Sequence, residues 1–533
     1  MSASTVSTGT TSLNGSLEGS RRWWALAAVS LAAFMTYLDN NVINVAIPTI
    51  QRSLHLSVAG LEWVVSSYLL TLAGLLLVGG RLADVYGRRR LFQVGMAVFT
   101  LSSLAAGLAG SGGVLIAARA VQGVGAALLM PATLAIIVAS FTNIRERTMA
   151  IGIWAAVGAL ALAAGPVVGG LISQHFRWGW IFLINVPVGV ITFVIAARYV
   201  DESRASDAVR RLDLPGLLAS ALALFPLTYA LIEGEVDGWT APQILGVFAL
   251  AAVAAVAFIA IEARTANPMV DLAMFRRREF SGGTGTMMIW SFGILGIYFF
   301  TSLYLQQTLG FSPTKAGLAF VPMALCVALF AGIAPRVEGW AGAHRTVAFG
   351  MVLMVVGLVL FARLGLQASY AGLLPGFMLF GAGAGLMNVP LTNAVMQATE
   401  PARAGIASAL LNASREVAGL LGITVIGAIL RTRQSAALRS GADPVHAFLD
   451  GYHTGLLVTI ALLAAGVAVS YLTLRPRTAA EPVPTRESLA VDELTTVDEL
   501  AAQLLTSADA APGRMASADL APVTTATRNP AVP

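Results

Sequence analysis

Apolar runs alternate with short polar connections along most of this chain of 533 residues. Each run is long enough to cross the ~30 Å hydrocarbon core of a bilayer, which takes about 20 helical residues. Backbone groups cannot face lipid unpaired, and a transmembrane barrel would show shorter, alternating segments. The pattern therefore predicts an all-helical membrane protein, with the weakest signal in segments 7 and 8, where Gly and Pro interrupt the runs. The fourteen predicted segments are 23–47, 61–80, 91–110, 114–139, 149–173, 180–199, 214–232, 241–262, 281–305, 315–335, 346–365, 371–397, 404–430 and 453–474.

The composition agrees with this pattern. Hydrophobic residues make up 57% of the chain and charged residues only 11%, whereas a soluble domain carries about 25% charge. So little charge cannot cover a globular surface in water, which excludes a soluble enzyme and a disordered protein. The single cysteine, Cys326, excludes an intrachain disulfide and a Cys-x-x-Cys metal site, and the five histidines are scattered. We therefore expect no metal site, no cofactor and no enzymatic activity.

The arginines predict the orientation of the chain. With the N-terminus inside, most arginines fall in the inner loops, as the positive-inside rule requires, and the loop at 431–452 is an exception. The net charge of +5 is therefore interpreted as orientation and not as nucleic-acid binding. Segments 1–20 and 476–533 lack apolar periodicity and are expected to be disordered cytoplasmic tails. Arg21 and Arg22 are interpreted as the cytoplasmic flank of segment 1 and not as a twin-arginine signal, because no cleavage site follows.

A weak internal repeat suggests two halves. Segments 5 and 13 are both Gly- and Ala-rich and are both preceded by an arginine, Arg147 and Arg403. If the two segments are equivalent, segments 1–6 and 9–14 form two six-helix halves at residues 21–200 and 281–475, with two inserted helices in 201–280. Such an architecture suggests a secondary transporter with a site between the halves.

The short loop between segments 2 and 3 carries the sequence Gly-Arg-Leu-Ala-Asp-Val-Tyr-Gly-Arg-Arg-Arg at 80–90. Its glycines permit a tight turn, and a nearby helix N-terminus would attract the carboxylate of Asp84. A stop-transfer cluster would explain the arginines but not this spacing. The segment resembles the cytoplasmic gate motif of the major facilitator superfamily, G-x-L-A-D-r-x-G-r-r, except at Val85, where the family usually has a basic residue. The resemblance assigns the gate to Gly80, Asp84, Gly87, Arg88 and Arg89.

Charged residues inside the apolar segments are candidates for proton coupling. Arg119 lies inside segment 4 with Gln122 on the same helix face, and an intramembrane arginine costs about 2.5–3.5 kcal/mol unless it has a partner, a wet cavity or a route to the interface by snorkelling. The stretch resembles the l-x-x-x-R-x-x-q-G-x-g-a motif, which the superfamily links to proton coupling. Asp39 is the acidic residue placed well inside the first half. Glu416, beside Arg415 in segment 13, either pairs structurally or is a second protonatable or cation-binding acid.

Segment 5 contains closely spaced small residues followed by a proline. Small residues allow helices to approach closely, and proline permits a bend. We expect this segment to pack against the other half of the bundle through Gly165 and Pro166. A generic packing face is the alternative, but the stretch resembles the G-x(6)-G-P-x-x-G-G motif that marks antiporters within the superfamily. The matching positions are Gly158, Gly165, Pro166, Gly169 and Gly170.

Segment 1 narrows the resemblance to one branch. Its sequence at 38–48 is similar to the L-D-x-T-V-x-N-V-A-L-P motif of the fourteen-helix drug:proton antiporters, with Asn41 in place of the usual Thr. The matches together cover about residues 23–474 and are looser in the second half. On these motifs the chain is identified as a member of that branch. The further matches lie at 63–70, 182–189, 267–275 and 404–412.

The resemblance implies a monomeric exporter in the cytoplasmic membrane of a bacterium. It would move an amphipathic small molecule, a drug or an antibiotic, outward and take protons inward, and self-resistance is one role that this would serve. There is no phosphate-binding G-x(4)-G-K-[ST] loop, so we expect neither a nucleotide nor a nucleic-acid partner. A proton-coupled uptake symporter and a metabolite exporter of the same fold are the alternatives. The candidate cavity residues are Asn44, Trp63, Tyr68, Gln122, Asn388 and Asn412.

Overall fold

A computed structural model of the protein describes residues 10–204, 213–265, 268, 270–366, 368–399 and 404–475. Across these ranges the regular structure is helical, with one 3₁₀ turn at Leu272–Arg276 and one π turn at Tyr304–Thr308. The α-helices are α1 (Thr10–Leu54), α2 (Val58–Tyr86), α3 (Arg88–Gly107), α4 (Gly112–Ser140), α5 (Ile144–His175), α6 (Trp180–Leu183), α7 (Asn185–Tyr199), α8 (Leu214–Asp237), α9 (Pro242–Glu262), α10 (Arg278–Leu303), α11 (Pro313–Ala319), α12 (Val321–Ala341), α13 (Ala343–Ala362), α14 (Tyr370–Gln397), α15 (Ala404–Arg439) and α16 (Pro444–Thr473).

The prediction of fourteen membrane-spanning segments is confirmed. Within the described residues, fourteen helical stretches are long and apolar enough to cross a bilayer, and each overlaps one predicted segment. The sixth span joins α6 to α7, the ninth joins α10 to the π turn, and the tenth joins α11 to α12. Segments 7 and 8 correspond to α8 and α9, and the apolar window of α9 has the highest mean hydropathy of the fourteen, 2.9. The protein is therefore a multi-pass membrane protein.

The first helix begins earlier than the sequence suggests. The segment 1–20 was expected to be disordered, but α1 starts at Thr10, so the expectation is wrong for residues 10–20. Adding a residue to an existing helix gains a hydrogen bond without the cost of nucleation, so a polar flank of poor propensity can continue a stable span. Residues 1–9 and the tail at 476–533 lie outside the described residues.

Polar residues define where many of the spans begin. The side chains of Ser57, Ser111 and Asn143 accept backbone N–H groups in the first turns of α2, α4 and α5. Asp213 and Asp443 do the same at the starts of α8 and α16. Such caps satisfy N–H groups that have no partner inside the helix. They fix the helix ends and so determine which residues lie at each end of the bundle.

The helices pack in two groups with an inserted pair. In the N-terminal group, α4 packs against α2 and α3, and α1 packs against α5; in the C-terminal group, α14 packs against α12 and α13, and α10 packs against α15. The two groups meet chiefly where α2 contacts α15 and where α5 contacts α11. The inserted helices α8 and α9 pack on each other, and α8 also contacts both α2 and α15. One side of the junction between the groups is therefore bordered by α8.

Candidate functional site

A cavity of about 500 Å³ lies between the N-terminal group and α15. Its wall is mainly apolar, with Leu72, Leu76, Met130 and Trp154 among its residues, and α15 adds the polar side chain of Asn412. A concave, mostly apolar site with a few polar groups is typical of small-molecule binding.

This cavity reaches one end of the bundle. Arg81, Asp84 and Arg88 line it, and these residues lie at the connection from α2 to α3. We call this the α2–α3 end and the opposite one the α1–α2 end. Leu217, in the first turn of α8, and Pro268 also border the cavity, so the inserted region contributes to its wall.

The two groups of helices are in contact at the α1–α2 end. The Ser302 hydroxyl donates to the carbonyl of Asn44 over 2.7 Å, and the Gln306 amide donates to the carbonyl of Val45 over 2.9 Å. A Cβ atom on Gly317 of α11 would lie 2.1 Å from the carbonyl oxygen of Pro166. Backbones approach this closely only because a glycine stands at the contact. The bundle is thus closed at the α1–α2 end.

A buried ion pair lies behind the cavity wall. The Nη1 atom of Arg119 is 2.5 Å from Oδ2 of Asp39, and both side chains are fully buried. The other carboxylate oxygen, Oδ1, accepts hydrogen bonds from Gln122 (2.9 Å) and Asn185 (2.8 Å). Both amides also donate to the hydroxyl of Ser103. The carboxylate is therefore held by three donors, the Arg119 guanidinium and the amides of Gln122 and Asn185.

Tyr68 connects this pair to the cavity. The Cζ atom of Arg119 lies 4.3 Å from the centroid of the Tyr68 ring, a cation–π contact, and Tyr68 also lines the cavity. Nη2 of Arg119 is buried without a hydrogen-bond partner. The snorkelling interpretation of Arg119 is wrong, because its side chain turns inward to Asp39 and is not exposed. The ring of Tyr68 thus lies between the ion pair and the cavity.

The sequence did not identify two members of this network as site residues. Asn185 lies on α7, 146 residues from its partner Asp39. Ser103 lies on α3, 82 residues from Asn185, which donates to it. Asn185 was quoted only as part of a motif match. The signal that could have found it is an amide inside an apolar run, the same signal that selected Gln122.

Glu416 lies at the cavity on the opposite wall. Its carboxylate accepts from Arg415 over 2.8 Å, its side chain is 12% exposed, and both residues line the cavity. Glu416 therefore pairs with its neighbour Arg415, as the structural interpretation expects. Its carboxylate also lies at the cavity, as the protonatable or cation-binding interpretation requires. Asp39 and Arg119 lie together, whereas Glu416 belongs to a separate pair on α15.

The gate motif forms a tight joint at the α2–α3 end. Gly87 has a φ of +116°, which an L side chain rarely adopts, and Asp84 pairs with Arg88 over 2.9 Å. The expectation that the N-terminus of α3 attracts Asp84 is wrong: Glu202 takes that position, accepting from the backbone of Arg89 and Arg90. The chain after α7 returns to this point and so brings Glu202 to the start of α3.

Two further members of the motif have different surroundings. Arg89 donates to the carbonyl of Ala197 over 2.5 Å, which ties α3 to α7. Gly80 lines the cavity, and a Cβ atom there would be 3.5 Å from Pro131. The motif therefore joins α2 and α3 to α4 and α7, four helices of one group.

The small residues of α5 pack mainly within their own group. A Cβ atom would lie 2.5 Å from Asn41 at Gly165, 2.4 Å from the carbonyl of Val42 at Gly169, and 3.0 Å from the Tyr37 ring at Gly158. The expectation that Gly165 faces the other half is therefore wrong, since its neighbour is on α1.

The contact with the other group lies at the end of this motif. A Cβ atom on Gly170 would be 2.5 Å from the carbonyl oxygen of Pro313, and the carbonyl of Pro166 abuts Gly317. Gly158, Gly165 and Gly169 thus meet α1, and Gly170 meets α11. This places α5 between α1 and α11.

The candidate cavity residues divide into two sets. Tyr68 and Asn412 line the cavity, whereas the other four lie elsewhere. Asn44 is at the closed α1–α2 end, where its carbonyl accepts from Ser302, and Gln122 belongs to the Asp39 network. The Trp63 indole donates to Glu233 of α8 over 2.7 Å, which holds it away from the cavity. For Asn388 the described contact is its carbonyl, which accepts from Thr392 one turn later in α14.

No group of three His, Cys, Asp or Glu side chains suited to a metal ion occurs among the described residues. The family model described as Major Facilitator Superfamily matches residues 29–423. The chain belongs to the major facilitator superfamily.

Several curated relatives carry names that refer to drugs or antibiotics. The multidrug resistance protein Stp of Mycobacterium tuberculosis (strain CDC 1551 / Oshkosh) is 37% identical over 79% of both chains. The puromycin resistance protein of Streptomyces alboniger is 35% identical over 84% of this chain and 89% of its own. The multidrug efflux pump LfrA of Mycolicibacterium smegmatis is 33% identical over 84% and 88%.

Solved structures support the fold. The peptide transporter of the POT family described as auto-inhibited superposes with a TM-score of 0.63 at 15% identity, over 88% of this chain and 99% of that one. The nucleoside transporter NupG superposes with a TM-score of 0.61 at 11% identity, over 85% and 100%. At such low identity these similarities concern the fold alone.

Proposed function

We propose that this protein exports amphipathic small molecules, drugs or antibiotics, across the cytoplasmic membrane of a bacterium in exchange for protons. The observation that carries the proposal is the buried Asp39–Arg119 pair, separated from an apolar cavity by Tyr68. The relatives named as resistance and efflux proteins support the direction of transport. The protein would act as a monomeric transporter without enzymatic activity or cofactor.

The ion pair suggests how a proton could be coupled to the substrate. When Asp39 takes up a proton, Arg119 loses its counter-ion and the network gains a positive charge. A buried charge left without its partner destabilises a structure by about 3–5 kcal/mol. A conformation that rehydrates Arg119, or one without a cationic substrate beside Tyr68, would then be favoured. Protonation and release of substrate would be linked in this way.

The proton gradient is sufficient for this exchange. Moving one elementary charge across about 100 mV releases about 2.3 kcal/mol. Since about 1.4 kcal/mol corresponds to a tenfold ratio, one proton would support tens-fold depletion of a neutral substrate from the cell before any pH difference is added. Exchange of one proton for a monovalent cation moves no net charge, so the pH difference or a second proton would drive export of a cationic substrate.

The cavity suggests the class of substrate. Leu72, Leu76, Met130 and Trp154 offer apolar surface, while the Glu416 carboxylate and the Asn412 amide offer polar contacts at the α15 wall. An amphipathic molecule with a cationic or hydrogen-bonding group would match both parts. The carboxylate would attract a cation, and the apolar wall would bind the remainder by excluding water.

The proposal includes an orientation and a division of the chain. Arginines concentrate at the α2–α3 end, so by the positive-inside rule this end and both termini would lie in the cytoplasm. The cavity would then open to the cytoplasm, which is the side from which an exporter takes its substrate. Residues 21–200 and 281–475 would form the moving halves, with the inserted helices in 201–280.

The test is transport in a host that lacks its own pumps. Cells that express the protein should retain less of a cationic dye than cells that express Asp39→Asn, and collapse of the proton gradient should remove the difference. Accumulation of the dye would instead indicate an uptake symporter. Equal dye retention in cells that express the parent protein and in cells that express Asp39→Asn would contradict export. In proteoliposomes, addition of a transported dye should release protons from the parent protein only.

A further inference from the structure

A second buried ion pair joins the two groups of helices at the α1–α2 end. Glu62 of α2 accepts a hydrogen bond from Nη1 of Arg431 of α15, and the two side chains are 0% and 6% exposed. The residues are 369 positions apart in the sequence. Gly427, one helical turn before Arg431, leaves space for the carboxylate, since a Cβ atom there would collide with Glu62. This pair closes the route between α2 and α15.

The inserted helix α8 takes part in the same contact. Nη2 of Arg431 donates to the carbonyls of Leu231 and Ile232, each over 3.0 Å. These carbonyls lie near the C-terminal end of α8, where the helix dipole favours a cation. Arg431 therefore holds a carboxylate of α2 and two carbonyls of α8 at once.

The pair is incompletely satisfied. Oε2 of Glu62 and Nε of Arg431 are both buried without a hydrogen-bond partner. A buried ion pair is stabilising only when its remaining donors and acceptors are satisfied, because desolvation of both charges is costly. Separation of the pair into water would satisfy both atoms. Such a contact is better suited to open and close than to act as a permanent support.

The hydrogen bonds of α8 are unequally shared between its two neighbours. Toward α15, Ser435 donates to Glu235 over 2.5 Å and the Trp239 indole, just beyond α8, donates to Thr432 over 3.2 Å, in addition to the two bonds from Arg431. Toward α2, the Trp63 indole donates to Glu233 over 2.7 Å. The described contacts therefore give α8 more hydrogen bonds to α15 than to α2.

We propose that Glu62, Trp63, Glu233 and Arg431 form a latch that holds the α1–α2 end closed, and that the latch opens between α2 and a unit made of α8 and α15. The inserted helix would thus move with the C-terminal group. This inference rests on the proposed function in that a transporter must open at this end to release its substrate. It assigns to the inserted helix α8 a role in gating, beyond covering the bundle.

The latch is tested by access to a buried position beneath it. Ser66 is fully buried one turn below Glu62 on the same face of α2. In a background with Cys326→Ser, the variant Ser66→Cys should react slowly with a membrane-impermeant maleimide. Glu62→Gln should accelerate the reaction about tenfold, the factor for about 1.4 kcal/mol of lost closed-state stability. Trp63→Phe, which keeps the ring and removes the donor, should give a smaller acceleration.

The matched control is Glu235→Gln, which alters an acid on α8 that accepts a hydrogen bond from Ser435 of α15. It should leave the labelling rate at the parent value. An unchanged rate in both Glu62→Gln and Trp63→Phe would overturn the latch. A rate in Glu235→Gln as high as in Glu62→Gln would overturn the assignment of α8 to α15.

Cross-linking tests which neighbour α8 follows. Each of two pairs of cysteines would replace a hydrogen-bonded pair and would be joined by a short bifunctional reagent. Trp239→Cys with Thr432→Cys joins α8 to α15 and should leave dye export near its value before cross-linking. Trp63→Cys with Glu233→Cys joins α8 to α2 and should stop export until the link is cleaved. The opposite result would place α8 with α2.

The labelling needs no substrate, so it separates this inference from the proposed function. It is measured in intact cells and in inverted vesicles, which also reports which side the α1–α2 end faces. If the parent exports no compound but Glu62→Gln still raises the labelling rate, the latch holds and the export proposal fails. If export is observed and the labelling rate does not respond, the latch fails alone.

Discussion

Tyr68 lies over the guanidinium of Arg119, with 4.3 Å between its ring centroid and Cζ, while the same tyrosine lines the central cavity. The arginine is fully buried and paired with Asp39. A change of charge in this pair therefore acts on the cavity through one side chain. A substrate that moves the tyrosine would, in return, change the surroundings of the pair.

This relationship predicts different effects of two substitutions at Tyr68. Tyr68→Phe keeps the aromatic face over Arg119 and should retain most substrate-induced proton release. Tyr68→Leu removes the cation–π contact, worth about 0.5–2 kcal/mol, and should reduce proton release at least several-fold at saturating substrate. The measurement is proton release in proteoliposomes. Equal losses in both variants would show that the hydroxyl, and not the face of the ring, is needed.

Asp39 is predicted to carry the exchanged proton. Asp39→Asn should abolish proton-driven export while substrate binding persists, because Asn keeps the shape and loses the charge. It should also lower stability, since Arg119 is left as an uncompensated buried charge, which costs about 3–5 kcal/mol.

The double variant Asp39→Asn with Arg119→Gln provides the control for this prediction. It removes both charges and should recover much of the thermal stability without recovering export. Full substrate-induced proton release by Asp39→Asn, with unaltered pH dependence, would contradict the assignment and direct attention to Glu416.

The sequence predicts the spans because bilayer thickness fixes their length, and it predicts local neighbours because helix geometry fixes which residues share a face. Arg119 and Gln122 were placed together for that reason. The meeting of Glu62 with Arg431 depends on how α2, α8 and α15 pack, and no local pattern encodes that contact. Trp63 was wrongly expected in the cavity for the same reason. Its partner Glu233 lies 170 residues away, and no local pattern predicts that contact.

Capping shows a second limit of the sequence. A helix N-terminus was expected to attract the nearest carboxylate, Asp84, but Glu202 occupies that position from a distant part of the chain. The motif itself contains a φ of +116° at Gly87, which places Asp84 beside Arg88 and directs it away from the N–H groups of α3. The rule that an acid caps the helix holds, whereas the identity of the acid depends on the fold.

The two acids at the α2–α3 end are therefore predicted to behave differently. Asp84→Asn removes a half-exposed pair worth about 0–1 kcal/mol, so it should insert and unfold like the parent and yet lose export if Asp84 closes this end in the other conformation. Glu202→Gln weakens a cap and should lower thermal stability by about 0.5–2 kcal/mol with export retained. Normal export by Asp84→Asn at normal expression would remove it from the mechanism.

The glycines of α5 should differ in their tolerance of a methyl group. At Gly169 an added Cβ meets the carbonyl of Val42 at 2.4 Å, and backbone cannot move aside cheaply. At Gly158 it meets the edge of the Tyr37 ring at 3.0 Å, which a side-chain rotation can relieve. Gly169→Ala should therefore destabilise the protein by about 1–3 kcal/mol, and Gly158→Ala by less. Thermal unfolding in detergent checks the order, and the reverse order would contradict the close packing of α1 on α5.

Glu416 is predicted to recognise the charge of the substrate. Its carboxylate lies at the cavity and is paired with Arg415 over 2.8 Å, so a cationic substrate would compete with Arg415 for it, whereas a neutral substrate of similar size would gain only apolar contacts. Glu416→Gln should therefore raise the apparent KM for a cationic dye about tenfold and leave that for a neutral analogue near the parent value. Asn412→Ala, a change at the same wall without loss of charge, should affect both substrates to a similar and smaller extent. An equal loss for the cationic and the neutral substrate in Glu416→Gln would mean that the Arg415 pair holds α15 in place and does not select charge.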